Sequence, residues 1–361
     1  MRSTNRLGIA TLGAIALAVA TTLTTGAGSA LAGAPTVGHR VTDDRAKAAA
    51  GFLARHLKGP DHDHYTTVYA GTTYPSFGPT ADAVLSMDAA GAAQAAARRA
   101  TTYLAAHVDD YAMGTPTYYP GAVAKLLLVA LAQHRDVHAF GGVDLVQKIV
   151  DSEGAGDAAP GEFQQNPGYP GSDSYVVNQA LPVLALAVAA DAAGQPDDAA
   201  VTFLTGQQCA DGGFASVIRT DTSTDCTDND VDATGYAVQA LLAAGAKTAA
   251  AKGLDWLAQV HHDNGGFGTT ASAPSNANST ALAAQALVAG HRTAAYAIRW
   301  LRKHQILCEG KAARVGAVTF QHTYGADALQ ATTQAGAALA GKPLAWIDRT
   351  GAYRAAPYYD C

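Results

Sequence analysis

Two apolar patterns alternate along the chain. In the first, an aromatic-aliphatic pair sits in a segment that also carries charge: Phe52-Leu53 near Arg55, Tyr103-Leu104 after Arg98 and Arg99, Phe203-Leu204, Trp256-Leu257 after Lys252, and Trp300-Leu301 between Arg299 and Arg302-Lys303. This is the amphipathic pattern of a helix with one stripe to bury. In the second, Ala, Leu and Val occupy all sides, as in "YYPGAVAKLLLVALAQH", "SDSYVVNQALPVLALA" and "SNANSTALAAQALVAG". A helix that is apolar all round belongs inside a fold.

The two patterns recur as pairs. The clearest copies are "AAVTFLTGQQCADGGF" followed by "DNDVDATGYAVQALLAAG", and "AAAKGLDWLAQVHHDNGGFG" followed by "SNANSTALAAQALVAG". Weaker copies precede "SFGPTADAVLSMDAAG", "YYPGAVAKLLLVALAQH", "SDSYVVNQALPVLALA" and "GADALQATTQAGAALAG", which makes six helix pairs with a period of about fifty residues. One repeat cannot bury its own apolar face, but stacked repeats bury a continuous core. Six featureless inner helices ringed by six charged outer ones predict an all-α protein, a single α/α toroid (an α6/α6 barrel) over residues 45–347, with almost no strand.

The amino-terminal stretch changes the setting. Arg2 and Arg6 precede an apolar run from Leu7 to Leu23 and then Ala30-Leu31-Ala32, an A-x-A cleavage signature. Residues 1–32 read as a secretory signal and 33–44 as a flexible lead-in, so the expected location is extracellular. No later segment reads as apolar enough to span a bilayer, so no membrane insertion is expected after signal removal. Without Arg2 and Arg6 the formal charge of -6 becomes -8, because residues 1–32 hold no Asp or Glu. Acidity without basic clusters argues against nucleic acid and anionic lipid as partners.

Four cysteines, Cys209, Cys226, Cys308 and Cys361, suit an oxidising compartment and allow three pairings. Cys209 with Cys226 and Cys308 with Cys361 is the favoured set, since each bond staples a segment otherwise free to fray, the second being the tail 348–361. No metal or cofactor is expected. C-x-x-C spacing for zinc is absent, Asp228, Asp230 and Asp232 begin a calcium loop that Ala233 and Gln239 fail to complete, and Asp61-His62-Asp63-His64 and His261-His262 read as solvated turns.

"FLTGQQCADGGF" and "WLAQVHHDNGGFG" resemble the Gln-x-Gly-x-aromatic repeats of the terpenoid cyclase and protein prenyltransferase α/α-toroid superfamily (prenyltransferase/squalene oxidase-type repeats). That superfamily also holds complement thioester domains and cobalamin carriers, and "GADALQATTQAGAALAGKPLAWID" is similar to the last repeat of its secreted, carrier-like members. The resemblance implies the barrel; function is carried by the site. Thioester chemistry would need Cys-Gly-Glu-Gln, which is missing, and Asp225-Cys226 only weakly echoes a prenyltransferase zinc site.

Class II terpene cyclases protonate their substrate with the middle carboxyl of Asp-x-Asp-Asp-Thr. Asp232 matches that residue, Asp230 the first Asp and Thr234 the Thr, while Ala233 replaces the third Asp. Aligning the repeats on Gln239, Gln285 and Gln334 sets Asp232 opposite Asn278 and Asp327, and Asp230 opposite Asn276. Asp and Asn are preferred helix caps. Asp232 is therefore read first as the residue that starts its helix and second as a catalytic acid.

Tyr74, Tyr118, Tyr119, Tyr169, Tyr175, Tyr236 and Tyr324 lie just before or early in inner helices, whose starts converge on one mouth of a toroid. With Asn278 they are the predicted ligand-binding set: tyrosine offers a broad apolar face with a polar tip. The leading expectation is a secreted, non-catalytic protein that binds a small hydrophobic or cobalamin-like ligand there, or an extracellular partner protein. The alternative is a terpene cyclase-like enzyme with Asp232 as general acid.

Overall fold

The computed structural model describes residues 41–113, 118–155, 158–163, 175–189, 196–219, 226, 228–308, 311–349 and 356–361. The predicted signal segment and Tyr169 lie outside the described residues. Thirteen α-helices occur among those described. Six are the amphipathic outer helices: α1 (Arg45–His56), α3 (Gln94–Ala106), α6 (Leu145–Val150), α8 (Asp198–Gly206), α10 (Lys247–Gln259) and α12 (Ala295–Lys303). Six are inner helices: α2 (Phe77–Ala89), α5 (Pro120–Ala132), α7 (Val176–Val188), α9 (Val231–Ala243), α11 (Ala277–Ala289) and α13 (Ala328–Leu339). The short α4 (Val108–Ala112) joins α3 to α5. Each inner helix packs on the next in chain order, and α13 packs back on α2, so the inner ring closes. The protein is an all-α single toroid of six helix pairs, as the pattern predicts.

A recurring hydrogen bond ties each turn to its inner helix. The buried backbone N–H of Tyr65, Phe163, Phe214, Phe267 and Val318 donates to a side-chain oxygen of Thr80, Gln179, Thr234, Thr280 and Thr332, at 2.8–3.0 Å. Four of these turns carry a glycine two residues before the donor, Gly161, Gly212, Gly265 or Gly316, with φ between +82° and +99°. Only glycine adopts that conformation without strain. A side chain there would also meet a backbone carbonyl of the following outer helix; for Gly316 that neighbour is Ala48 in α1. The sixth turn therefore docks on the first helix as the others dock on the next, which closes the circle.

Strand content exceeds the sequence expectation. β2 (Tyr65–Tyr69) and β3 (Thr72–Ser76) form an antiparallel hairpin around Ala70-Gly71, both at positive φ. Tyr, Thr and Val on either side of a glycine turn are its signal, masked by the helical repeat around it. β1 (Val41–Thr42) pairs in parallel with β4 (Tyr358–Tyr359), holding the two ends of the described chain together. Disulfides join Cys209 to Cys226 and Cys308 to Cys361, the favoured pairing.

The carboxyl-terminal ends of the inner helices are covered by residues 344–349. Leu344 N–H donates to Gln239 Oε1 at 2.9 Å in α9, and Arg349 N–H to the carbonyl of Ala132, the last residue of α5, at 3.0 Å. Nearby, fully buried Asp88 accepts from Gln133 Nε2 at 2.6 and 2.7 Å and from Gln94 Nε2 at 3.0 Å.

Candidate functional site

The candidate site lies toward the opposite end of the ring. There the amino-terminal turns of α5 and α7 frame a cavity of about 360 Å³, with α4 contributing Tyr111 and α9 contributing Tyr236. Tyr119, Pro120 and Gly121 form one wall and Val177 and Asn178 the other; Lys125, Leu181 and Tyr236 lie one turn deeper. A side chain at Gly121 would collide with Asn178, so the glycine leaves that amide its place in the wall.

Lys125 and Asp82 make the inner helices less uniform than the sequence reading held. Lys125 is the one charge in α5 and Asp82 one of two carboxylates in α2, and facing each other from the two helices they form an ion pair at 2.8 Å. Burial works against the Lys125 ammonium, but the Asp82 carboxylate outweighs it and raises its pKa. Burial also raises the pKa of the Tyr111 and Tyr236 phenols, so both stay protonated donors. Burying ions without full compensation is costly, and a buried pair is seldom retained for stability alone. Charge anomalies at Asp82 and Lys125 were the sequence signal for this floor.

Asp232 does not cap α9. Asp230 does, its Oδ1 accepting from Ala233 N–H at 2.7 Å, and Asn276 caps α11 in the same way, from Ser279 N–H at 3.0 Å. Asp327 precedes α13 without any side-chain cap bond. The aligned columns were right and the role was assigned to the wrong one: the capping residue is two positions earlier. Asp232 is instead the second residue of α9, one turn above Tyr236 on the same helical face. Its Oδ1 is buried with no donor among the described residues. Burial pushes its carboxyl up to about 6, helped by the Asp230 charge and opposed by a hydrogen bond from Ser279. Asn278, at the matching position of α11, also holds its Oδ1 buried with no donor among the described residues.

Of the predicted tyrosines, Tyr119 and Tyr236 line the cavity. Tyr236 sits in the second turn of α9. Tyr118 donates to Asp109 at 2.7 Å, Tyr74 stands exposed on β3, Tyr175 is half-exposed ahead of α7, and Tyr324 lies under the Arg314 guanidinium. These four do not line the cavity. Tyr111, Lys125, Asp82 and Asn178 complete the site and were not singled out in the sequence. Asp63 pairs with His64, which stacks on Tyr103, and no group of three potential metal ligands forms among the described residues.

No protein-family model and no curated protein matches the chain. Solved structures do. Unsaturated glucuronyl hydrolase from Bacillus sp. GL1 superposes with a TM-score of 0.58 at 13% identity, over 82% of this chain and 95% of that one. Protein geranylgeranyltransferase-I from Candida albicans gives 0.55 at 11% identity, over 84% and 96%. The ent-copalyl diphosphate synthase from Streptomyces platensis gives 0.50 at 18% identity; the match covers 73% of this chain and half of the synthase. What this chain shares with that hydrolase, transferase and cyclase is the α/α-toroid fold.

Proposed function

We propose that the barrel mouth is a binding well for a small, hydroxyl-rich ligand of one or two rings. The observation that carries this reading is the Lys125 ammonium, paired behind the wall with Asp82, beside the phenols of Tyr111 and Tyr236 in a cavity of about 360 Å³. That volume is near the lower end of the roughly 300–1,000 Å³ typical of ligand pockets. Tyrosine faces with convergent donors and acceptors suit a sugar ring, which alternates apolar faces with hydroxyl edges. A polyprene would have to cover the ion pair with nothing to bond to it. A corrin ring would exceed the well.

Export is part of the same proposal, supported by the two disulfides and by the absence, among the described residues, of a helix long and apolar enough to cross a membrane. The test is thermal unfolding of the full chain with glucuronate, cellobiose, geranylgeranyl diphosphate and cobalamin. A ligand at one hundred times its Kd stabilises by about 2.7 kcal/mol. A saccharide is expected to raise the Tm, and Tyr236→Phe to remove the effect. Stabilisation by geranylgeranyl diphosphate or cobalamin alone would overturn the reading.

A second reading, an enzyme, is favoured by one observation: Asp232 carries a buried, donorless oxygen and a carboxyl held near 6, the profile of a general acid. The structural neighbours named above are enzymes. If Asp232 donates a proton to the bound ligand, turnover falls as pH rises through about 6, and Asp232→Asn abolishes it while leaving ligand-induced stabilisation in place. Turnover retained by that variant would remove the acid from the account.

A further inference from the structure

A second and larger cavity, about 560 Å³, lies outside the ring at the seam where the last outer helix meets the first. Arg45, at the start of α1, donates from Nη1 to the carbonyl of Arg302 in α12 at 2.7 Å, and Gln305 Nε2 returns a bond to the Arg45 carbonyl at 2.8 Å. These two bonds fix the walls against each other.

The lining gathers Arg45, Arg302, Lys303, His304 and His322, with no Asp or Glu among the described lining residues, in a chain whose formal net charge is -6. Cations at the end of α12 offset that helix's dipole, which accounts for Arg302 and Lys303. It does not account for Arg45, from the first turn of another helix, or for His322, from the loop before α13. Among the described residues none of the three Arg and Lys side chains forms an ion pair. Asp43 and Asp44 border the adjoining cavity, where Asp44 is occupied in capping α1 and pairing with Lys47.

Two further groups are held in place. His304 stacks on Trp300 with ring centroids 3.5 Å apart, its Nδ1 donating to the Trp300 carbonyl at 2.8 Å. Gln305 is buried, its Nε2 bound to the carbonyls of Arg45 and Gly316 and its Oε1 without a donor among the described residues. A hydroxyl brought to the seam would find that oxygen as an acceptor.

We infer that this seam binds an oxoanion ester of a hydroxyl-bearing molecule, its phosphate or sulfate held by Arg45, Arg302, Lys303 and His322 and its hydroxyl donating to Gln305. The inference is independent of the barrel mouth. The test is calorimetric titration of the full chain with glucose 6-phosphate, glucose 6-sulfate and glucose. Saturable binding of either ester, with none for glucose, is expected, and the two arms identify the oxoanion. Binding weakens at least tenfold in Arg302→Glu/Lys303→Glu, whose exposed positions keep the fold intact by unchanged Tm, and is unaffected by Tyr236→Phe in the other cavity. No saturable binding of either ester, or equal binding by the charge-reversed variant, overturns the site.

Discussion

Asp88 and Asp232 place the same carboxyl at opposite ends of the inner ring, and their surroundings separate them. Burial lifts Asp88 from 3.8 to about 7, against the bonds from Gln133 and Gln94. Both glutamines present Nε2 to the Asp88 carboxyl, and their Oε1 atoms lack donors among the described residues. The folded pKa is above the unfolded value, so between about 4 and 7 the folded state holds a proton that the unfolded chain releases. Stability from this residue is complete below that window and lost as pH rises through it. Asp88→Asn keeps a donor and removes the titration, so its Tm relative to the parent should climb from pH 5 to pH 8; parallel curves would show that Asp88 is not held protonated. At the other end, Asp230→Ala should cost about 1 kcal/mol as a lost cap. Asp232→Asn should leave the Tm near that of the parent, and a loss equal to that of Asp230→Ala would return Asp232 to the capping role. The sequence displayed both carboxylates but not which one turned toward the helix N–H groups, because that depends on a two-residue difference in where α9 begins. Asp82 and Lys125 were visible as charges in apolar helices; that they meet follows only from α2 and α5 being neighbours in the ring.

At the scale of the element, the unit that repeats is the turn bonded to its helix. Thr234→Val keeps the shape of the side chain and leaves the buried Phe214 N–H unmet, at a cost of about 1–3 kcal/mol, while Thr234→Ser should retain most stability; equal losses for the two would point to packing and not to the bond. Gly212→Ala combines a strained φ of +99° with a collision against Lys252 and should destabilise by more than about 1 kcal/mol in chemical denaturation. Two of these turns were legible in the sequence as Gly-Gly-Phe, at 212–214 and 265–267, since glycine and a buried aromatic are both imposed there by local geometry. The β2–β3 hairpin was not, because its twelve residues, eight of them Tyr, Thr or Val, fall inside the span the repeat assigns to one helix pair.

For the whole molecule, closure is achieved several times over: α13 on α2, Gly316 on α1, β1 with β4, and Cys308 with Cys361. The disulfide spans 53 residues and lies beside the basic seam. Bonds of this kind stabilise by about 2–4 kcal/mol, so Cys308→Ser/Cys361→Ser should lower the Tm, and an unchanged Tm would mean that the strand pair and α1 docking hold the seam without it. The toroid itself was readable from the period of the chain because each repeat solves the same burial problem. The seam cavity was not, since Arg45 and His322 are 277 positions apart and meet only once the ring has closed.

The strap at residues 344–349 gives the barrel a base. Between Tyr236, Asp82 and Leu344 there is a separate space of about 20 Å³, room for a single water molecule. On the proposed function, a ligand held in the mouth would enter and leave by the same opening. A linear polymer can offer such a well only its end, never an internal stretch, so an oligosaccharide blocked at both termini should fail to compete with one whose ends are free.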